Sequence, residues 1–279
     1  MKVLVTGVSG QLGFDVMREL LARGIEAKGA SRSDFSLTDF AAMRRFVEAH
    51  RPTAIIHCAA YTAVDKAEDE PELCREVNAA ATGELARLAK EVGAKFLYIS
   101  TDYVFPGTGE DFYEPEDEKA PCNVYGESKL LGEEAALEAL EELFIVRISW
   151  VFGENGKNFI KTMLRLAETH EELSVVGDQI GSPTYTRDLA RLLADMIVTE
   201  KYGVYHATNE DTCSWAELAA EALRCAGKKT RVRAIKTEEY PTKAKRPKNS
   251  RLSKKCLDDA GFSRLPDWRD AVARYVDLI

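Results

Sequence analysis

Lys2-Val3-Leu4-Val5-Thr6-Gly7-Val8-Ser9-Gly10-Gln11-Leu12-Gly13 opens the chain with a short Val-rich apolar run that passes directly into a turn carrying three glycines. A run of this kind, bounded by glycine, reads as a buried strand. Phe14, Val16, Met17, Leu20 and Leu21 then recur at helical spacing up to Gly24, a good C-terminal stop, and a second run covers Ile25 to Ala30. Strand, glycine turn, helix and strand within about thirty residues predict a right-handed βαβ unit and therefore a parallel sheet.

The alternation continues outward from this unit. Helices are expected near Asp39 to His50, Val77 to Val92 and Tyr125 to Leu140, with strands over Ala54 to Cys58, Lys95 to Ser100 and Phe144 to Ser149. This predicts an α/β fold with a doubly wound parallel sheet of the Rossmann type. Beyond Val151 the pattern loosens into helices near Phe159 to Glu168, Arg187 to Val198, Trp215 to Ala226 and Trp268 to Leu278. The reading is a dinucleotide-binding domain over 1–150, with about 173–200 returning to it, and a smaller, mainly C-terminal substrate-binding cap over 151–279.

The glycine turn carries chemistry because of where it lies. Between a strand and a helix, the first helical amides face outward and glycines let a pyrophosphate approach them closely. At the end of the second strand an acid would bind the ribose hydroxyls of NAD, whereas Ser or Arg would accept a 2′-phosphate. Ser31 and Arg32 therefore favour NADPH, and Asp34 keeps NADH as the alternative. Tyr125 and Lys129 form a Y-x-x-x-K pair on one helix face, an arrangement in which a cation beneath a phenol would lower its pKa. Ser100 and Thr101 supply hydroxyls at the end of the fourth strand, where open α/β sheets bind their ligands.

Composition excludes several classes of function. The 279 residues are 45% hydrophobic and 30% charged, which is ordinary for a globular chain. No run approaches the roughly 20 apolar residues that cross a bilayer, and no A-x-A-like site follows the first strand, so a cytoplasmic protein is expected. Six cysteines without a C-x-x-C pair and four scattered histidines argue against a transition-metal site. The net charge is −8, yet Lys228 to Lys255 holds twelve Lys or Arg against Glu238 and Glu239. Such a segment suggests an anionic partner, and without a nucleic-acid recognition motif a phosphorylated small molecule fits better than nucleic acid.

Glycine turn, strand-end hydroxyl and Y-x-x-x-K in this order resemble the extended short-chain dehydrogenase/reductase superfamily. Within it the chain is similar to the dTDP-4-dehydrorhamnose reductase family, on Ala59 to Glu68, Ser100 to Gly107, Asn123 to Lys129, Arg147 to Val151, Arg246 to Leu252 and Pro266 to Arg269. The resemblance implies NAD(P)H-dependent reduction of the C4 ketone of dTDP-4-dehydro-L-rhamnose, in nucleotide-sugar and cell-surface polysaccharide biosynthesis. It places the cofactor on Gly7, Gly10, Gln11, Leu12 and Gly13, near Asp34 and Phe35, and against Ala60, Tyr61, Thr62, Ile99, Tyr125 and Lys129. Thr101, Asp102, Trp150 and Arg246 would meet the sugar nucleotide, with Tyr125, Lys129 and Thr101 as the catalytic group. Some members hold magnesium on carboxylates at a dimer contact; here those positions carry Asp15 and Arg187, so no metal is expected, and the chain should be a monomer or a metal-independent homodimer. His57 replaces a usual Asn and reads as a packed strand-end residue. Two alternatives stay open: another nucleotide-sugar reductase or epimerase of the same fold, and a non-catalytic cofactor-binding subunit, against which the retained Tyr125 and Lys129 speak.

Overall fold

Five strands come from residues 1–150: β1 (Lys2–Thr6), β2 (Glu26–Ala30), β3 (Ala54–His57), β4 (Lys95–Thr101) and β5 (Leu143–Ile148). In the computed structural model, which describes residues 1–279, they pair in parallel with a late strand, Gly203–His206, in the order Gly203–His206, β5, β4, β3, β1, β2. β1 therefore lies between β2 and β3, and the chain reverses its direction of winding there. A crevice opens at the carboxyl ends of β1 and β3, the position at which doubly wound sheets take their ligands.

Near-continuous apolar strands reflect burial on both faces. Val3, Val5, Leu97 and Val146 pack against helix α1 (Gln11–Ala22) and against Leu189, Leu193 and Met196 of the helix Thr186–Ile197. Leu4, Ile55, Phe96 and Ile145 pack on the opposite face against α2 (Phe40–His50) and against Leu85 and Ala89 of the helix Ala81–Val92. A late helix and a late strand thus complete the layers begun by residues 1–150.

The expected helices form within a residue or two of their limits, with one exception. The helix expected near Val77 begins at Pro71, widens into a π-helical turn over Glu76–Ala80 and continues to Val92. Proline at its first position presets the backbone without losing a helical hydrogen bond. The remaining C-terminal elements have their own small core, in which Phe152, Tyr185, Trp268 and Tyr275 pack together. A two-stranded parallel pair, Glu172–Val176 with Arg231–Ile235, also belongs to this part.

Candidate active site

Gly7 adopts φ +71°, and its amide donates to the Ala30 carbonyl at 2.9 Å, so the turn leaves β1 tightly against the end of β2. A Cβ on Gly13 would lie 2.4 Å from the Gly7 carbonyl oxygen, which is why the helix can start this close to the turn only as glycine. Gly10 caps α1 without a side chain, leaving the first helical amides free to bind an anion. This cradle forms one end of a cavity of about 1110 Å³. Every residue assigned to the site from the sequence lines that cavity except Asp34.

Asp34 turns back instead, accepting from the Ser31 amide and hydroxyl, both at 2.9 Å. Those two hydrogen bonds hold its carboxyl below the usual range, with the backbone bond the larger cause. Its carboxylate closes a local turn, as short polar side chains do after strands. Arg32 next to it is exposed and hydrogen-bonds to nothing in the protein.

Tyr125 and Lys129 lie on the first turns of the helix Val124–Ala139, whose N-terminus is capped by Asn123 accepting from the Gly126 amide at 2.8 Å. The Lys129 ammonium is buried, 4.0 Å above the Tyr98 ring. Burial lowers its pKa to about 7, opposed by the carboxylate of Glu133 one turn further on. Burial also pushes the Tyr125 phenol above its ordinary value, with the Thr101 hydroxyl pulling the other way. Desolvation thus acts on both groups, raising the phenol and lowering the ammonium.

The two strand-end hydroxyls separate clearly. Ser100 donates to Glu133, which also takes two hydrogen bonds from Arg147, at 2.9 and 2.7 Å, in a fully buried pair. Thr101 accepts from the Tyr103 amide at 3.3 Å and donates to Asp102 at 3.0 Å, beside Tyr125 in the cavity wall. The second oxygen of Asp102 is buried without a partner, and burial raises its pKa to about 6. A buried, unpartnered acceptor on a cavity wall is suited to a hydroxyl donor from a ligand.

Arg246 reaches the same cavity, where it pairs with Asp65 at 2.5 Å and donates to the Tyr103 hydroxyl at 3.4 Å. The rest of the basic segment is less available than its charge suggested. Lys243 pairs with Asp69, Lys248 with Asp178 and Glu238, Lys254 with Glu210 and Lys255 with Asp259. With Lys228, Arg231 and Arg233 on Glu168 and Glu172, eight of the twelve cations lie in ion pairs, and Arg246 is the one that lines the cavity. Arg187, in turn, pairs with Glu154 at 2.9 Å, and Arg18 bridges Glu154 and Asp15.

Sequence reasoning missed two further parts. Asn78, on the π-helical turn, holds Tyr61 through both backbone groups, accepting from its amide at 2.8 Å and donating to its carbonyl at 3.0 Å. Trp215 lines the cavity and stacks on Trp150. Asn78 falls inside a helical pattern and Trp215 at the start of another helix, so neither carries a local signal. His57 is packed, with its ring nitrogens 2.7 Å from Thr6 Oγ1 and 3.3 Å from Thr82 Oγ1, and burial holds it neutral with a pKa of about 3.

A helix N-terminus cradle at the turning point of a parallel sheet, joined to a buried Tyr-x-x-x-Lys pair, defines a dinucleotide-binding oxidoreductase of the extended short-chain dehydrogenase/reductase class. The family model described as the RmlD substrate binding domain matches residues 1–279. The chain is 40% identical to the dTDP-4-dehydrorhamnose reductase of Escherichia coli, over 99% of this chain and 97% of that protein. It is 39% identical to the spore coat polysaccharide biosynthesis protein SpsK of Bacillus subtilis, over 99% and 96%. The structure of dTDP-4-dehydrorhamnose reductase from Bacillus anthracis in complex with NADP superposes with a TM-score of 0.97 at 41% identity, covering both chains completely. The chain belongs to the RmlD family, and with it to the nicotinamide-dependent oxidoreductases of nucleotide sugars.

Proposed function

We propose that this chain reduces the C4 ketone of dTDP-4-dehydro-L-rhamnose to dTDP-L-rhamnose, with NADPH preferred over NADH. The observation that carries the reading is continuity: one cavity runs from the glycine cradle, past Tyr125, Lys129 and Thr101, to Asp102, Trp150 and Arg246. Cofactor and sugar nucleotide would then meet at the Tyr125 phenol. The cradle fits a dinucleotide pyrophosphate, because free amides face the space that the glycines leave open.

A bound reduced nicotinamide supplies the hydride. Tyr125 gives its proton to the oxygen as negative charge builds there, and its raised pKa keeps the phenol protonated and ready to act as the acid. Thr101, whose hydroxyl accepts from the Tyr103 amide, turns its proton from Asp102 to the same oxygen and stabilises it. Lys129 presents its ammonium to the cofactor ribose from between Tyr98 and the Ile99 carbonyl. Arg246 pairs with the diphosphate of the sugar nucleotide, exchanging Asp65 for it. In this reading residues 1–150 carry the cofactor together with the returning helix Thr186–Ile197 and strand Gly203–His206, while Glu172–Val176, expected to return as well, pairs instead with Arg231–Ile235 in the cap.

The preference for NADPH rests on Arg32, a free guanidinium on the cavity wall at the end of β2. No helix is long and apolar enough to cross a membrane, and we assign the protein to the cytoplasm without a nucleic-acid partner. Asp15 lies among Arg18 and Arg187, which disfavours a bound cation there and supports a monomer or metal-independent homodimer.

The test follows NADPH absorbance with dTDP-4-dehydro-L-rhamnose generated in situ, beside UDP- and GDP-linked 4-keto sugars. Tyr125→Phe is expected to keep cofactor binding and to lose roughly 10²-fold or more in turnover. Preferred turnover of a UDP or GDP sugar would move the substrate assignment, and undiminished turnover in Tyr125→Phe would remove the catalytic one.

A further inference from the structure

Trp150 has φ +50°, a left-handed backbone conformation that a bulky side chain adopts only under constraint. Its carbonyl accepts from the Thr184 amide at 3.2 Å. Gly181 lets its indole lie against bare backbone, since a Cβ there would stand 3.0 Å from the ring. A further restraint is Trp215, whose ring is stacked on that of Trp150 at 3.9 Å and 17°.

Trp215 is itself firmly held. It is the first residue of the helix Trp215–Cys225, anchored by a capping box in which the Glu217 amide donates to Ser214 Oγ at 3.1 Å and the Ser214 amide donates to Glu217 at 2.7 Å. Phe159 packs on it at 4.7 Å, tilted by 59°. The stack therefore joins the end of β5 to a rigid helix terminus of the C-terminal part, directly on the cavity wall.

We infer that Trp215 is a positioning residue for the sugar-nucleotide end of the cavity, acting through the strained Trp150 that it holds in place. Without Trp215, the Trp150 ring loses its stacking partner and is free to turn from its place on the cavity wall that it shares with Thr101 and Asp102, while the backbone stays pinned at Thr184. The consequence falls on the sugar nucleotide and spares the cofactor, whose cradle lies at the other end. This rests on the reading that the Trp150 end of the cavity receives a nucleotide sugar.

The experiment compares wild type, Trp215→Ala and Trp215→Phe by circular dichroism and steady-state kinetics. The third tryptophan, Trp268, packs against Arg269 and stacks on no other indole, so an exciton couplet reports the Trp150–Trp215 pair. Trp215→Ala is expected to lose the couplet and raise the KM for dTDP-4-dehydro-L-rhamnose about tenfold, with the NADPH Kd within about twofold of wild type. Trp215→Phe should lose the couplet and recover most of the KM, because a smaller ring still stacks. An unchanged sugar-nucleotide KM in Trp215→Ala, or equal weakening of NADPH binding, overturns the inference. A wild type that turns over no nucleotide sugar overturns the functional reading itself, and this assignment with it.

Discussion

The Lys129 ammonium donates to the Ile99 backbone carbonyl at 2.7 Å, anchoring a buried cation to the strand that ends in Thr101. The bond partly compensates a large desolvation, and the pKa of about 7 records the remainder. Between pH 7 and the ordinary lysine value, the unfolded chain binds a proton at this residue that the folded chain does not. Folding stability from this group therefore rises with pH across that window.

Lys129→Met is accordingly expected to stabilise the cofactor-free protein at pH 7, by on the order of 2 kcal/mol, while losing cofactor affinity and most turnover. Thermal melts of both proteins from pH 6 to 10 check this. The advantage of the variant should shrink as pH rises, and a constant difference would place the ammonium in solvent.

Asp102 titrates in the opposite sense. Its pKa, raised to about 6, means that the folded chain retains a proton which the unfolded chain loses from about pH 4 upward, so stability falls between those values. Asp102→Asn should remove that fall and be the more stable protein at pH 7. It should also raise the sugar-nucleotide KM more than the NADPH KM. Melting curves from pH 4 to 7 and paired KM measurements decide both points.

Glu133 and Arg147 form a buried pair behind the site, with Ser100 and the Pro115 carbonyl as further partners. Glu133→Ala strands a buried guanidinium and is expected to destabilise the fold by about 3–5 kcal/mol in urea unfolding. Replacing both, as Glu133→Leu with Arg147→Met, should recover most of that loss. Equal destabilisation by the single and double variants would show that packing and not charge is responsible.

Arg32→Ala should raise the KM for NADPH more than that for NADH, by about 1.5–3 kcal/mol if a charged hydrogen bond to the 2′-phosphate is lost. The kcat/KM of each cofactor in wild type and variant measures it. Equal losses, or a wild-type preference for NADH, would place Arg32 outside the site.

The order of strand, glycine turn and helix, and the Tyr125–Lys129 spacing, were legible in the sequence because both are local. A strand needs a continuous apolar run, a helix N-terminus needs small residues before it, and i, i+4 side chains share a face wherever the helix lies. Contacts between distant residues were decided by tertiary structure alone. That Asp34 faces its own turn rather than the cavity was not legible, because spacing does not say which way a carboxylate points. The basic segment meets Asp65, Asp69 and Asp178, which only the folded chain brings to it, so that most of its charge is balanced within the protein and Arg246 alone reaches the cavity. Trp215 met Trp150 across 65 residues of sequence, and burial displaced the Tyr125 and Lys129 pKa values in ways that depend on surrounding atoms rather than on neighbours in the chain. Local conformation follows from short-range sterics and hydrogen bonding, whereas solvation and ion pairing depend on everything that packs around a group.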